Sequence, residues 1–111
     1  MKYLEPLFLA DNIHSEEKIK RKLSRRAGVA GLYLVCLSDR DDELFVLYPD
    51  EEFMHAPYEN SDVTVVGLAR GYITAKHLVK RIIEEIIETE GTVEKASVKA
   101  FFNSRAGEGS L

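Results

Sequence analysis

Two neighbouring segments, residues 31–37 (GLYLVCL) and 44–48 (LFVLY), are apolar throughout and constrain the fold more than any other feature of the chain. Both are short and rich in Leu, Val and aromatic side chains, which favours β-strands. Successive side chains of a strand point to opposite faces of the sheet, so both faces of these two strands need cover. We therefore expect layers of helices packed on a central sheet.

Further strands are predicted on either side of this pair. Residues 3–10 and 63–69 read as strands, and Pro6 restricts the first to an edge position or breaks it, because proline cannot donate a ladder hydrogen bond. Residues 93–102 (VEKASVKAFF) alternate polar and apolar side chains, which predicts a fifth strand with one solvated face. A short turn of helix is predicted after Pro49.

Two main helices are predicted between the strands. The first begins after Ser15, a good N-cap residue, and continues to about Ala27 before Gly28, with a narrow apolar stripe. The second spans about Thr74 to Glu90, and Gly91 ends it. Its apolar residues cover about half of its circumference. They are Ala75, Leu78, Val79, Ile82, Ile83, Ile86 and Ile87.

The resulting order, β-α-β-β-(short helix)-β-α-β, predicts the α/β class, with α+β also possible, and a mixed sheet of about five strands. We expect parallel strands within each strand-helix-strand unit and an antiparallel hairpin of strands two and three. The helices either share one face, as in a ferredoxin-like fold, or lie on opposite faces, as in a small doubly wound layer. Residues 1–102 are predicted to form one domain and residues 103–111 a flexible tail.

The amount of apolar strand surface, compared with the helical surface available to cover it, indicates how the protein could function. One broad and one narrow amphipathic helix can hardly cover both apolar faces of a five-stranded sheet. A second copy of the chain is the simplest cover for the remainder. The sequence therefore predicts a small non-catalytic binding or regulatory module that acts through homodimerisation and protein–protein contacts.

Charge is distributed unevenly along the chain, whose formal net charge is −4. Residues 15–28 hold six basic and two acidic side chains, whereas residues 39–62 hold nine acids and one arginine. The basic run contains no interleaved aromatic residues, and the protein as a whole is acidic, which argues against nucleic-acid binding. We expect a solvated basic face that pairs with the acidic segment of the same chain or of a neighbouring molecule.

The sequence predicts a cytoplasmic protein without membrane association. The longest apolar run, residues 29–37, is far shorter than the roughly 20 residues needed to span a bilayer. The N-terminal residues lack the apolar core of a secretory signal. Cys36 is the single cysteine, which excludes an internal disulfide and favours a reducing compartment. Within an apolar strand it is expected to behave as a small buried hydrophobe.

The segment VTVVGLARGYITAKHL, which includes a turn from strand to helix, is the first candidate ligand site. Its glycines do not match the Walker or dinucleotide-binding spacing. The unpaired N–H groups of a helix N-terminus nevertheless favour an anion, so residues 67–74 are an alternative site for a phosphorylated or carboxylated metabolite. The glycines could instead serve close packing of the helix against its strand. The candidate ligand-binding residues are Gly67, Arg70, Gly71, Tyr72 and Thr74.

The charges of the second helix run against its dipole. Basic side chains occupy its first half and glutamates its second, an arrangement that costs a few tenths of a kcal/mol per exposed charge. Ion pairs between side chains four residues apart, such as Lys80 with Glu84, would partly offset this unfavourable interaction with the dipole. The residues concerned are Lys76, His77, Lys80 and Arg81, then Glu84, Glu85, Glu88 and Glu90.

The long connection over residues 49–61 is the second candidate site and carries a lesser alternative, an enzyme. Phe53, His55 and Tyr58 could form a lid or binding loop with acid–base groups, or simply plug the end of the sheet. His14, His55 and His77 fall in separate segments without metal-ligand spacing. We therefore predict no metal site and no cofactor.

Overall fold

The structure is a computed structural model that describes residues 2–25, 27–51 and 63–109. A four-stranded mixed sheet forms the centre of these residues. The strands are β1 (Lys2–Leu9), β2 (Leu32–Leu37), β3 (Phe45–Pro49) and β4 (Thr64–Arg70). Across the sheet they lie in the order β1-β4-β2-β3, with β1 parallel to β4 and the other two pairs antiparallel. The predicted α/β class and the predicted β2–β3 hairpin are confirmed.

Over the described ranges, three helices pack on this sheet: α1 (Glu16–Ser24), α2 (Tyr72–Glu90) and α3 (Lys95–Gly109). The helix α1 begins after Ser15 as predicted but ends before Ala27, which is exposed. The helix α2 ends at Gly91, whose φ of 81° lies in the left-handed region that glycine adopts without strain. The short helix predicted after Pro49 falls mostly on residues 52–62, outside the described residues.

The prediction of a fifth strand over residues 93–102 is wrong, because most of this segment belongs to α3. The alternation of polar and apolar residues suggested a strand. The apolar residues of the same segment also have the spacing i, i+3 and i+4, which is that of one helix face. Val98, Phe101 and Phe102 have this spacing and are all buried. The helix also continues to Gly109, through much of the segment expected to be a flexible tail.

The helices α2 and α3 cover one face of the sheet. On this face Gly67 of β4 lies between Phe8 of β1 and Val35 of β2 in the strand register. Phe8 packs against Phe101 and Phe102 of α3, with ring centroids 6.3 and 6.1 Å apart. A Cβ atom at Gly67 would lie 3.1 Å from Cδ2 of Leu78 of α2, so glycine here permits close helix–strand packing.

The helix α1 covers the opposite face. Tyr3, Val65 and Cys36 lie side by side in the register there. The Lys20 ammonium of α1 lies 5.0 Å from the centre of the Tyr3 ring. Helices on both faces match the doubly wound alternative rather than the ferredoxin-like one, which requires both helices on one face.

The expectation of parallel strands within each strand-helix-strand unit is wrong. Because β4 lies between β1 and β2, parallel to one and antiparallel to the other, β1 and β2 run in opposite directions. The second unit lacks its final strand, since α3 replaces it. Pro6 has the predicted effect: β1 is at an edge of the sheet, and its register with β4 shifts between Tyr3 and Phe8.

The central strands are covered on both faces by the chain itself. Leu34 and Cys36 on one face and Val35 on the other are at most 1% exposed. The predicted uncovered apolar surface is therefore not found on β2, because α3 is a helix that provides cover rather than a strand that needs it. On the edge strand β3, which the same prediction included, every residue is half-buried, so part of its apolar surface stays accessible. Homodimerisation itself stays a prediction.

Candidate functional site

A small pocket of about 140 Å³ lies between α1 and the C-terminal end of β4. Four of its lining side chains carry basic nitrogen atoms and come from separate parts of the sequence: His14, Lys18, Lys22 and Arg70. Ser15, Ile19 and Val29 complete the lining. We call this cavity the basic pocket. It concentrates positive charge on a protein whose formal net charge is −4.

The helix α1 supplies one wall of the basic pocket. Lys18 and Lys22 are four residues apart, so they lie on the same side of the helix. Ile19, only 3% exposed, anchors the helix to the sheet and fixes this orientation. Ser15 precedes the first helical residue, and its side chain makes no capping hydrogen bond. Its hydroxyl therefore does not accept a hydrogen bond from the backbone N–H groups of the first turn.

Arg70 forms the opposite wall and is held by two residues outside its own strand. The Asn12 side-chain amide donates to the Arg70 carbonyl oxygen at 2.9 Å, and the Asn12 side-chain oxygen accepts from the Arg70 N–H at 3.1 Å. The guanidinium donates through Nη1 to the Ala30 carbonyl oxygen at 3.0 Å. Sequence analysis identified Arg70 but missed Asn12, because a single Asn after a strand gives no signal of a distant contact.

The basic side chains of α1 divide into paired and unpaired groups. Lys20 binds the carboxylates of Glu5 and Glu16, the latter at 2.9 Å. Burial lowers the pKa of Lys20, but its hydrogen bonds to Glu5 and Glu16 outweigh that effect and raise the pKa above its ordinary value. Within the described part of the chain, Lys18 and Lys22 have no carboxylate within 4 Å. These two unpaired lysines line the basic pocket, whereas Arg21, which also has no carboxylate within 4 Å among the described residues, does not.

Pairing of this basic helix with the acidic segment of the same chain is not seen among the described residues, and pairing with a neighbouring molecule stays a prediction. Asp42 binds Arg40 of its own turn, at 3.0 Å. Glu43 accepts a hydrogen bond from Ser38. Both interactions belong to the hairpin turn between β2 and β3, as expected for a turn with charged residues.

Asp50 is a buried acid that sequence analysis did not identify. Its side chain is 2% exposed, and Oδ2 accepts a hydrogen bond from the N–H of Val29 at 2.6 Å. Its Oδ1 has no hydrogen-bond partner in the described residues. Because Val29 lines the basic pocket, Asp50 fixes part of the pocket wall from behind. The acidic run around Asp50 gave no indication that this one carboxylate would be buried.

The other residues of the predicted turn site do not line the basic pocket. Gly67 lies inside the sheet, where Phe8 O would be 3.0 Å from an added Cβ atom. Gly71, with φ of 86°, donates its N–H to the Gly31 carbonyl oxygen at 2.7 Å. Gly67 therefore serves close packing within the sheet and against α2, whereas Gly71 serves the connection between β4 and α2.

Tyr72 and Thr74 belong to the first turn of α2, on the face of the sheet opposite the basic pocket. The Tyr72 ring packs on Tyr33 with centroids 5.7 Å apart, and the Lys76 ammonium lies 5.5 Å from its centre. Thr74 is half-buried. Of the predicted turn residues, Arg70 is the one that lines the basic pocket.

The predicted loop site, Phe53, His55 and Tyr58, lies outside the described residues. The other two histidines are far apart in the fold, His14 at the basic pocket and His77 on the exposed side of α2. In the described ranges, no three His, Cys, Asp or Glu side chains cluster as metal ligands would.

Comparison with models of protein families, with curated proteins and with solved structures finds no match for this chain. Over the described residues, none of the helices combines the length and the hydropathy needed to cross a bilayer. Functional inference therefore depends on the geometry and the charge of the molecule itself.

Proposed function

We propose that the protein is a non-catalytic binding module for a small phosphorylated or carboxylated metabolite, and that the basic pocket holds its anionic group. The supporting observation is the convergence of Lys18, Lys22 and Arg70 on one cavity without a carboxylate partner in the described residues. The single cysteine, Cys36, is buried, which agrees with the proposed reducing, cytoplasmic setting.

The elements around the basic pocket favour a bound anion in complementary ways. The N-terminus of α1 provides free backbone N–H groups and partial positive charge beside Ser15. Arg70 presents a planar guanidinium that can bind a phosphate or carboxylate through two parallel hydrogen bonds. The pocket, at about 140 Å³, is smaller than the usual 300–1,000 Å³ of ligand sites. It therefore suits the charged group of a metabolite, whose remainder extends into solvent.

Thermal unfolding with inorganic phosphate, pyrophosphate and citrate tests this proposal. A ligand that binds the folded state raises its stability, by about 2.7 kcal/mol at one hundred times the dissociation constant. We expect a higher melting temperature with at least one of these anions and loss of that shift in Arg70→Ala. The matched control is Arg21→Ala, an exposed charge on α1 outside the pocket lining, which should leave the shift intact. A melting temperature that none of the three anions changes would contradict the proposal.

A second candidate function, homodimerisation, is supported by the exposed side of α2. Ile73 and Ile87 are 63% and 45% exposed and lie on the side of the helix away from the sheet. The expected ion pair of Lys80 with Glu84 does not form within 4 Å, nor does any other salt bridge within α2. The helix thus exposes a positive first half and a negative second half, with apolar residues near both ends.

Such a surface complements itself about a two-fold axis. In an antiparallel arrangement of two α2 helices, the basic half of each copy meets the acidic half of the other. Lys76 and Lys80 of one copy would approach Glu84 and Glu88 of the second. The same arrangement would account for charges that run against the dipole of an isolated helix.

Light scattering after size exclusion tests the dimer, with and without added salt. We expect a dimer that dissociates as salt rises and that Lys76→Glu weakens. The double variant Lys76→Glu, Glu88→Lys should restore it, because each reversed charge again meets an opposite one. Lys99→Glu on α3 is the control for a change in net charge. A monomer at all concentrations, or a dimer unaffected by Lys76→Glu, contradicts this candidate.

A further inference from the structure

A second cavity, of about 320 Å³, lies between α3 and the end of the sheet where β2 turns into β3. Its walls are largely apolar: Leu4 of β1, Leu37 of β2, Leu44 of the hairpin, and Val98 and Phe102 of α3. Its volume is within the usual range for small-molecule sites. We call it the apolar pocket. It faces the opposite side of the sheet from the basic pocket.

Polar groups line the apolar pocket along one side of α3. Lys95, Lys99 and Asn103 recur at intervals of four residues, so they form a row along the helix. The Lys95 ammonium donates to the carbonyl oxygen of Ser38 at 2.5 Å, which keeps its charge close to the opening. Lys99 is exposed and has no carboxylate within 4 Å among the described residues.

Among the described residues, no carboxylate lies within 4 Å of either lysine of this row. Glu43, on the hairpin turn, accepts a hydrogen bond from Ser38 Oγ at 2.8 Å and is not part of the lining. Glu94 is exposed at the start of α3 and is also absent from the lining. The cavity therefore combines an apolar interior with two ammonium groups and one amide at its edge.

We propose that the apolar pocket binds a small amphipathic carboxylate, such as a medium-chain fatty acid. The hydrocarbon tail would enter between Leu37, Leu44 and Phe102, where it replaces water against apolar walls. The carboxylate would remain at the edge and accept hydrogen bonds from Lys99 and Asn103. This site goes beyond the proposed anion-binding function and does not depend on it, because the two pockets share no lining residue.

Titration of the full chain with hexanoate, octanoate and decanoate, followed by amide chemical shifts in NMR spectra, tests the site. We expect shifts centred on Leu37, Val98 and Phe102. Burial of each added methylene contributes about 0.8 kcal/mol, which corresponds to roughly fourfold tighter binding per methylene until the pocket is full. Octanol, with the same tail and no charge, should bind more weakly than octanoate.

Two variants separate charge recognition from nonspecific hydrophobic binding. Lys99→Glu should weaken octanoate binding at least tenfold and leave the phosphate response unchanged. Arg70→Ala should leave octanoate binding unchanged. Shifts that spread over the whole surface, equal binding of octanoate and octylamine, or no shift at the apolar pocket would each overturn the proposal. Loss of the phosphate response alone would contradict the proposed function and leave this site standing.

Discussion

Cys36 shows how burial sets the chemistry of a single residue. It is 1% exposed in the middle of β2, and burial raises the pKa of its thiol to about 12. Only the thiolate is a strong nucleophile, so this thiol is unreactive in the folded protein at neutral pH. The sequence predicted this buried, inert role from the apolar residues on either side.

The raised pKa of Cys36 makes stability depend on pH in a defined direction. The folded protein holds the thiol proton up to about pH 12, whereas an unfolded thiol releases it near pH 8.5. The contribution of the thiol is therefore complete below about pH 8.5 and declines as pH rises above it. We expect the wild type to lose stability between about pH 8 and pH 10 relative to Cys36→Val, measured by urea denaturation. A difference that stays constant with pH would contradict this expectation.

At the level of elements, α3 shows where a sequence pattern is ambiguous. Residues 93–102 satisfy both a two-residue and a helical period, and no signal within the segment decides between them. The outcome depends on tertiary contacts, since Phe101 and Phe102 pack on Phe8 of β1. By contrast, α2 has one clear period and a terminal glycine, Gly91, and its predicted end was confirmed.

The far end of α3 is attached to β1 through Arg105. Its guanidinium carbon lies 3.9 Å from the centre of the Phe8 ring, and Nη2 donates to the Pro6 carbonyl oxygen at 2.8 Å. We expect Arg105→Ala to lower the free energy of unfolding by about 1–2 kcal/mol, because both contacts are lost. Urea denaturation followed by circular dichroism measures the change. Ser104→Ala, an exposed neighbour, should change stability by less than about 0.5 kcal/mol; equal effects of the two variants would contradict the role of Arg105.

At the level of the whole molecule, the candidate site illustrates what a linear sequence conceals. The strand-to-helix turn indicated Arg70, but the basic pocket also needs Lys18, Lys22 and Asn12, which are more than forty positions away in the chain. Strand neighbours cannot be read from local periodicity either, and the insertion of β4 between β1 and β2 is what brings these segments together. The fold class can be predicted from amino-acid composition and from the period of the apolar residues. The basic pocket cannot, because it depends on the order of the strands in the sheet.

The parallel pairing of β1 with β4 has a consequence for synthesis of the chain. Tyr3 pairs with Val65, so β1 leaves the ribosome long before the strand that it pairs with. The β2–β3 hairpin, in contrast, joins neighbouring segments and can form as soon as both have emerged. The apolar side chains of β1 must therefore stay unpaired on the nascent chain until β4 has emerged, an interval in which chaperones can bind them.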